Sequence, residues 1–153
     1  MHLDIREILS KRIGRRLPKF ISRPLEKLIH QDELNGFFAT CEGATPEEFL
    51  KKAFEFLNVT HTVEYTAPLA DDERYIFASN HPFGGLDGML LVDALVERFG
   101  DAGAVVNDLL MNISYLEPLW IPINKYGKQS VEKGRRYDEA FSSPTKQVLT
   151  FPA

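Results

Sequence analysis

Cysteine is nearly absent: the 153-residue chain carries Cys41 and no other. One thiol forms no internal disulfide, so the fold must rest on its core. Cys41 lies in Thr40-Cys41-Glu42-Gly43 with no histidine beside it, and it reads as a buried or loop thiol, not a nucleophile. Long apolar runs are missing as well. No stretch approaches the ~20 apolar residues of a membrane span, and the charged N-terminus lacks the apolar centre of a secretory signal. These absences predict a cytoplasmic protein, soluble or peripheral to a membrane. Internal repeats and low-complexity linkers are absent too, while 44% hydrophobic content is enough for one globular core.

Two chemistries lack their residues. A metal centre would need a second His or Cys at ligand spacing from His81 and Asp87, but His2, His30 and His61 lie far away in sequence. A phosphate-binding loop would need G-x-G-x-x-G or a Gly-Lys-Ser/Thr, and the glycines at 84, 85 and 88 fit neither pattern.

What the chain does have is Ser79-Asn80-His81-Pro82-Phe83-Gly84-Gly85-Leu86-Asp87-Gly88, one histidine and one aspartate on either side of a glycine-rich turn. The run before it, Arg74 to Ala78, is aromatic and branched like a buried strand; the run after it, Met89 to Val96, has the pattern of a helix. His81 therefore leaves a strand end and Asp87 enters a helix, where open α/β sheets bind ligands. An imidazole there accepts a proton near neutral pH, and a carboxylate bonded to its other nitrogen fixes the tautomer and stabilises the imidazolium. Adjacent glycines let the backbone approach a substrate closely. A purely structural alternative stands beside this one: Asp87 as a helix cap favoured by the helix dipole, and His81 as a turn residue.

Charge is unevenly distributed. Residues 1–30 hold eight Lys/Arg and three acids, a net +5, which leaves −9 for the remainder of a chain whose total is −4. The basic residues interleave with Ile5, Ile8, Leu9, Ile13, Leu17, Phe20, Ile21, Leu25, Leu28 and Ile29 at helical spacing. Two readings remain open: helices lying on an anionic membrane surface, or helices that pack on the domain and solvate their charges. Nucleic acid is disfavoured as a partner, because the acidic remainder would repel phosphate.

Punctuation sets the expected elements. Pro18 and Pro24 each mark a helix start, giving helices over 4–15 and 18–30 and a short one over 32–38. Thr45, Pro46 and Glu48 form a capping box ahead of Phe49, Leu50, Ala53, Phe54 and Leu57. Residues 60–65 alternate like a strand, and strands are expected over 74–79, 103–107, 119–123 and 146–151, with helices over 86–99 and 128–141. The fold class is α/β: a mostly parallel sheet with flanking helices, preceded by an N-terminal helical segment over 1–58, with the α/β part over 59–153. Asn107-Asp108 and Arg135-Arg136 receive no role, since a helix face with two arginines is usually solvated.

Asn80-His81 followed by Asp87 resembles the first block of the glycerolipid and lysophospholipid acyltransferase superfamily, with five residues between His and Asp where most members have four. The segment 80–88 is similar to a bacterial branch often labelled hemolysins, which resembles acyltransferases of ornithine or glycine lipids. Leu119 to Gly127 resembles the second block and Leu149 to Ala153 the opening of the third, so the likeness spans 74–153. The resemblance implies transfer of an acyl group from an acyl carrier protein or coenzyme A thioester, with no cofactor, to a hydroxyl of a lysolipid or amino-acid lipid. It implies His81 as general base oriented by Asp87, with Asn80, Gly84, Gly85, Asn124 and Lys125 around the substrate. Together with a cytoplasmic default, basic helices on an anionic surface would make the protein peripheral on the inner face of the membrane. The third block breaks off at Ala153, so a fragment inactive by itself is expected. The competing class is a non-catalytic lipid-binding or membrane-docking module in which the basic helices act and the His turn is structural.

Overall fold

Short runs of branched and aromatic residues, each followed by a helical stretch, build one parallel sheet. The computed structural model describes residues 2–107, 110–123 and 130–152, and the chain divides into two compact units, Met1–Ala44 and Thr45–Ala153. Among the described residues no helix is long and apolar enough to cross a membrane.

The first unit is helical: α1 (Ile5–Ile13), α2 (Lys19–Leu28) and α3 (Gln31–Thr40). Asp4 caps α1 by accepting from the Glu7 amide, and Gly14, at φ +73°, ends it. Side-chain amides of α3 then hold the segment entering α1. Asn35 accepts from the Leu3 N–H at 2.6 Å and donates to the Leu3 carbonyl at 2.9 Å, while Gln31 accepts from the Ile5 N–H. Cys41 is fully buried behind α3, as a structural thiol should be. Pro24 does not start a helix; it lies inside α2, which begins after Pro18.

In α2 the outward face is apolar. Phe20 is 77% exposed and Leu28 75%, with Pro24 on the same i, i+4 row, while the adjacent row of Lys19, Arg23 and Lys27 is also exposed. Its inward face carries the fully buried Ser22.

The second unit opens with α4 (Pro46–Phe56), whose capping box is fully formed: Thr45 Oγ1 accepts from Glu48 N, and the Glu48 carboxylate accepts from Thr45 N. The apolar face of α4 is buried, and Phe49 stacks on Tyr115 at 4.9 Å between centroids. These contacts join α4 to the sheet-bearing unit.

Four strands follow: β1 (Ile76–Ala78), β2 (Ala102–Asn107), β3 (Trp120–Ile123) and β4 (Gln147–Thr150), all parallel in the order β1-β4-β2-β3. Helix α5 (Gly85–Phe99) connects β1 to β2, two 3₁₀ turns lead from β2 to β3, and α6 (Val131–Ser142) returns the chain to β4. Register assigns the faces. Val148, Val105 and Ile121 pack under Tyr137, Ala140 and Phe141 of α6. Phe77 lies in the neighbouring row, paired with Leu149, and meets Phe99 at the end of α5. Pro122 is tolerated because β3 is an edge strand of this sheet.

Residues 60–65 form no strand. Their alternation serves side-chain packing instead: His61 lies edge-on to Phe54, and Arg98 of α5 stacks over Tyr65 while donating to the Leu69 carbonyl at 2.8 Å. Arginine elsewhere also terminates backbone. Arg136 donates to the carbonyls of Glu117 at 2.8 Å and Trp120 at 3.2 Å, so this residue of α6 clamps the start of β3.

Gly103 in β2 has a packing reason: a Cβ there would lie 3.1 Å from Ile121 Cδ1 and 3.3 Å from the Leu119 carbonyl oxygen. Gly103→Val is therefore expected to lower unfolding free energy by about 1–3 kcal/mol through overpacking, with Gly103→Ala costing less. Urea denaturation of the two variants measures this, and equal stability of all three proteins would refute the contact.

Candidate active site

The site grows from the end of β1. Ser79 N–H still donates to the Thr150 carbonyl at 3.1 Å, extending the ladder by one residue before the chain leaves the sheet. His81 to Gly84 then makes a tight turn, with Pro82 at its second position and the Gly84 N–H bonded to the His81 carbonyl at 2.9 Å. Gly84 has φ +66° and ψ −122°, which requires a residue without Cβ.

The turn delivers the chain into α5 without a side-chain cap. Among the described residues the amides of Gly85, Leu86 and Asp87 find no acceptor, so the helix presents open N–H groups and the positive end of its dipole. Gly85 is not needed for packing: nothing in the protein comes within 4 Å of a Cβ built on it. Its bare backbone leaves those amides accessible.

Asp87 occupies the third helical position and turns backward. Its Oδ2 accepts from the Phe83 N–H at 2.7 Å. No hydrogen bond joins Asp87 to His81 among the described residues, so the expected direct pairing is not made and the carboxylate instead fixes the turn that carries the imidazole. His81 itself is exposed, and its ring lies against Phe151, 4.8 Å between centroids.

His81, Gly84 and Gly85 line a cavity of about 510 Å³, within the range of small-molecule sites. Its other walls come from the carboxyl ends of three strands: Val106 and Asn107 at the end of β2, Ile123 at the end of β3, Thr150 at the end of β4 and Phe151 just after it. Trp120 and Leu110 complete the apolar part. The arrangement puts an exposed imidazole and a row of free backbone donors at one end of a cavity that is otherwise mostly hydrocarbon. Such a site can take a proton from a hydroxyl and stabilise a developing oxyanion.

Of the residues read from sequence, His81, Gly84 and Gly85 meet in this cavity, Asp87 supports it, and Asn80 is exposed on the turn without lining it. Asn124 and Lys125 lie outside the described residues. Phe151, Trp120 and Asn107 also line the cavity, and no local sequence pattern marks them individually. Asn107 ends a strand next to an acidic residue, a local pattern with no chemical signature of its own.

A family model described as Acyltransferase matches residues 7–153. The chain is 36% identical to a lyso-glycine lipid O-acyltransferase of Phocaeicola vulgatus and 37% identical to one of Bacteroides thetaiotaomicron, each over 99% of its own length. It spans 55% and 57% of those two relatives. No solved structure matches it significantly.

Because Asp87 ties down the Phe83 amide, Asp87→Ala should destabilise the protein by roughly 0.5–2 kcal/mol, the usual range for losing a helix-start acceptor. Asp87→Asn keeps an acceptor oxygen and should cost less. Chemical denaturation distinguishes the two, and an Ala variant as stable as the parent would show that the bond carries no weight.

Proposed function

The chain belongs to the acyltransferase family, and from that membership we propose that the protein transfers a fatty acyl group from a thioester of acyl carrier protein or coenzyme A to the hydroxyl of a lyso-glycine lipid. The observation that carries this is the exposed His81 at the mouth of an apolar cavity, beside the uncapped start of α5. The relatives' names supply the acceptor class.

In the proposed reaction His81 removes the proton of the acceptor hydroxyl as its oxygen attacks the thioester carbonyl carbon. The carbonyl electrons move onto oxygen, and the first-turn amides of α5 stabilise the resulting oxyanion. Collapse of this intermediate re-forms the carbonyl and breaks the carbon–sulfur bond; the imidazolium returns its proton to the departing thiolate. No covalent enzyme intermediate is required, because the thioester is already activated. Asp87 acts as a positioning residue through the Phe83 amide, and Phe151 backs the imidazole. Asn124 and Lys125 would hold an anionic group of donor or acceptor, a role that rests on the family resemblance alone.

We also propose that α2 docks on an anionic membrane surface at its cytoplasmic face. An exposed apolar row of Phe20, Pro24 and Leu28 beside the basic row of Lys19, Arg23 and Lys27 would insert hydrocarbon while placing cations at the headgroups. Such a face brings a lipid acceptor to the enzyme.

His81→Ala should reduce acyl transfer by about 10²–10⁴-fold, the usual contribution of a general base, with melting temperature unchanged because the residue is exposed. Asp87→Asn should also be impaired. The assay follows lyso-glycine lipid acylation from both thioester donors. Wild-type turnover in the His81 variant would leave only the lipid-binding module.

Docking is tested by sedimentation with vesicles. Wild type should pellet with vesicles containing anionic lipid, far less with neutral ones, and less as salt rises. The triple variant Lys19→Glu, Arg23→Glu, Lys27→Glu should lose most binding while keeping its fold, since exposed charges usually shift stability by about 0.5 kcal/mol or less. Equal pelleting of variant and parent would overturn the proposal.

A further inference from the structure

His81 is the base of the proposed reaction, yet among the described residues neither of its ring nitrogens makes a hydrogen bond. Asp87, the carboxylate expected to orient it, is bonded to the Phe83 amide instead. An exposed imidazole held by no hydrogen bond turns easily about its terminal side-chain bond, which has no sharp preference of its own, and the direction in which it accepts a proton is then dispersed. The structure supplies a different restraint. Phe151, the residue after β4, lies 4.8 Å from the imidazole between ring centroids, at an interplanar angle of 49°. Its ring also reaches α5: a Cβ built on Gly88 would lie 3.8 Å from Phe151 Cε2 and 3.9 Å from Cζ. The phenyl ring therefore lies over the first turn of the helix at a residue that carries no side chain. Its backbone is set by the sheet, because the preceding carbonyl, that of Thr150, accepts from the Ser79 N–H at 3.1 Å.

We propose that Phe151 is the positioning residue of His81: its ring sets the direction of the imidazole, the task that a bonded carboxylate performs in a His–Asp pair. The inference rests on the acyl-transfer reading and adds a residue to it. Ring packing suits the task, since a flat ring laid against another limits its rotation while leaving both nitrogens unoccupied. One of them is then open to the acceptor hydroxyl. The nearest cavity residues in sequence offer no substitute, because Gly84, Gly85 and Gly88 bring no side chain to the imidazole. A misplaced catalytic group costs up to roughly 10²-fold in rate, so the contact acts on turnover more than on binding.

Phe151 also lines the cavity, so the experiment separates an effect on His81 from one on substrate. In the acylation assay Phe151→Leu, which keeps an apolar side chain and removes the flat ring, should lower kcat by about 10–10²-fold with KM little changed. Phe151→Tyr, which restores a ring, should recover most of that loss. The same Leu substitution placed in His81→Ala should leave the residual rate unchanged, because a residue that acts through the imidazole then has nothing to position. A readout independent of turnover comes from the histidine ring protons in a ¹H–¹³C spectrum. The chain has four histidines, and the signal missing from His81→Ala identifies the one at issue. Removing the ring current of Phe151 should move that signal toward the position of free histidine in Phe151→Leu, and Phe151→Tyr should leave it near the parent value. If Phe151→Leu does not fold, Phe151→Met, with its adaptable side chain, takes its place. Additive losses in the double variant, or an unmoved His81 signal in the folded Leu or Met protein, would overturn the inference while leaving the acyl-transfer reading intact if His81→Ala is inactive. Wild-type turnover in His81→Ala would overturn both.

Discussion

Everything at the site hangs on the pairing of β1 with β4. Strand β1 has three residues, and among the described residues β4 is its one neighbour in the sheet. The bond between them is reinforced by Gln147, a polar residue buried to 3% exposure that accepts from the Tyr75 N–H at 2.7 Å and donates to the carbonyls of Glu73 and Thr145. A buried amide is stable only when its donors and acceptors are satisfied, and this one is satisfied by the segments just before β1 and β4. It therefore fixes their register. Arg74 adds bonds to the Lys146 and Phe141 carbonyls, tying the entry of β1 to the end of α6. With that register set, the residue after β1 bonds to Thr150, and His81 meets Phe151.

The parallel sheet converts this register into a site. All four strands end on the same edge, so the segments that follow them converge there although they are scattered through the sequence. Helix α5 begins at that edge with no side-chain cap, a cost that an anionic or polarised ligand oxygen would relieve. Asp87 is spent within the turn on the Phe83 amide, leaving the open amides to the cavity. The consequence is a division of labour: the carboxylate shapes the loop, the helix start supplies donors, and the imidazole faces the space between.

Cations in the second unit mostly serve the backbone. Arg74, Arg98 and Arg136 each donate to main-chain carbonyls. Each guanidinium thereby ties its own element to a backbone segment distant in sequence. The basic row of α2 in the first unit differs in kind, because Lys19, Arg23 and Lys27 stay exposed next to exposed hydrocarbon. That contrast is what separates a structural use of charge from a surface available to lipid.

Local pattern by itself determined much of this protein. The capping box at Thr45, the helices over α4 and α5, the four strands and their α/β class follow from periodicity and turn chemistry acting within a few residues, and the His81 turn follows from glycine, proline and histidine in direct succession. Only the tertiary structure decided the rest. Alternation at 60–65 is indistinguishable in sequence from a strand, and it became side-chain packing because Phe54 and Arg98 offered partners there. Pro24 could start a helix or sit within one. The partner of Asp87 depended on how the 81–84 turn folds back, and Arg136 could have been solvated until the 117–120 carbonyls were brought beneath it. The unpaired indole of Trp120 and the contact of Phe151 with His81 arise from strands far apart in sequence that the sheet sets side by side. Sequence spacing encodes local hydrogen bonds; the convergence of strand ends is a property of the whole sheet.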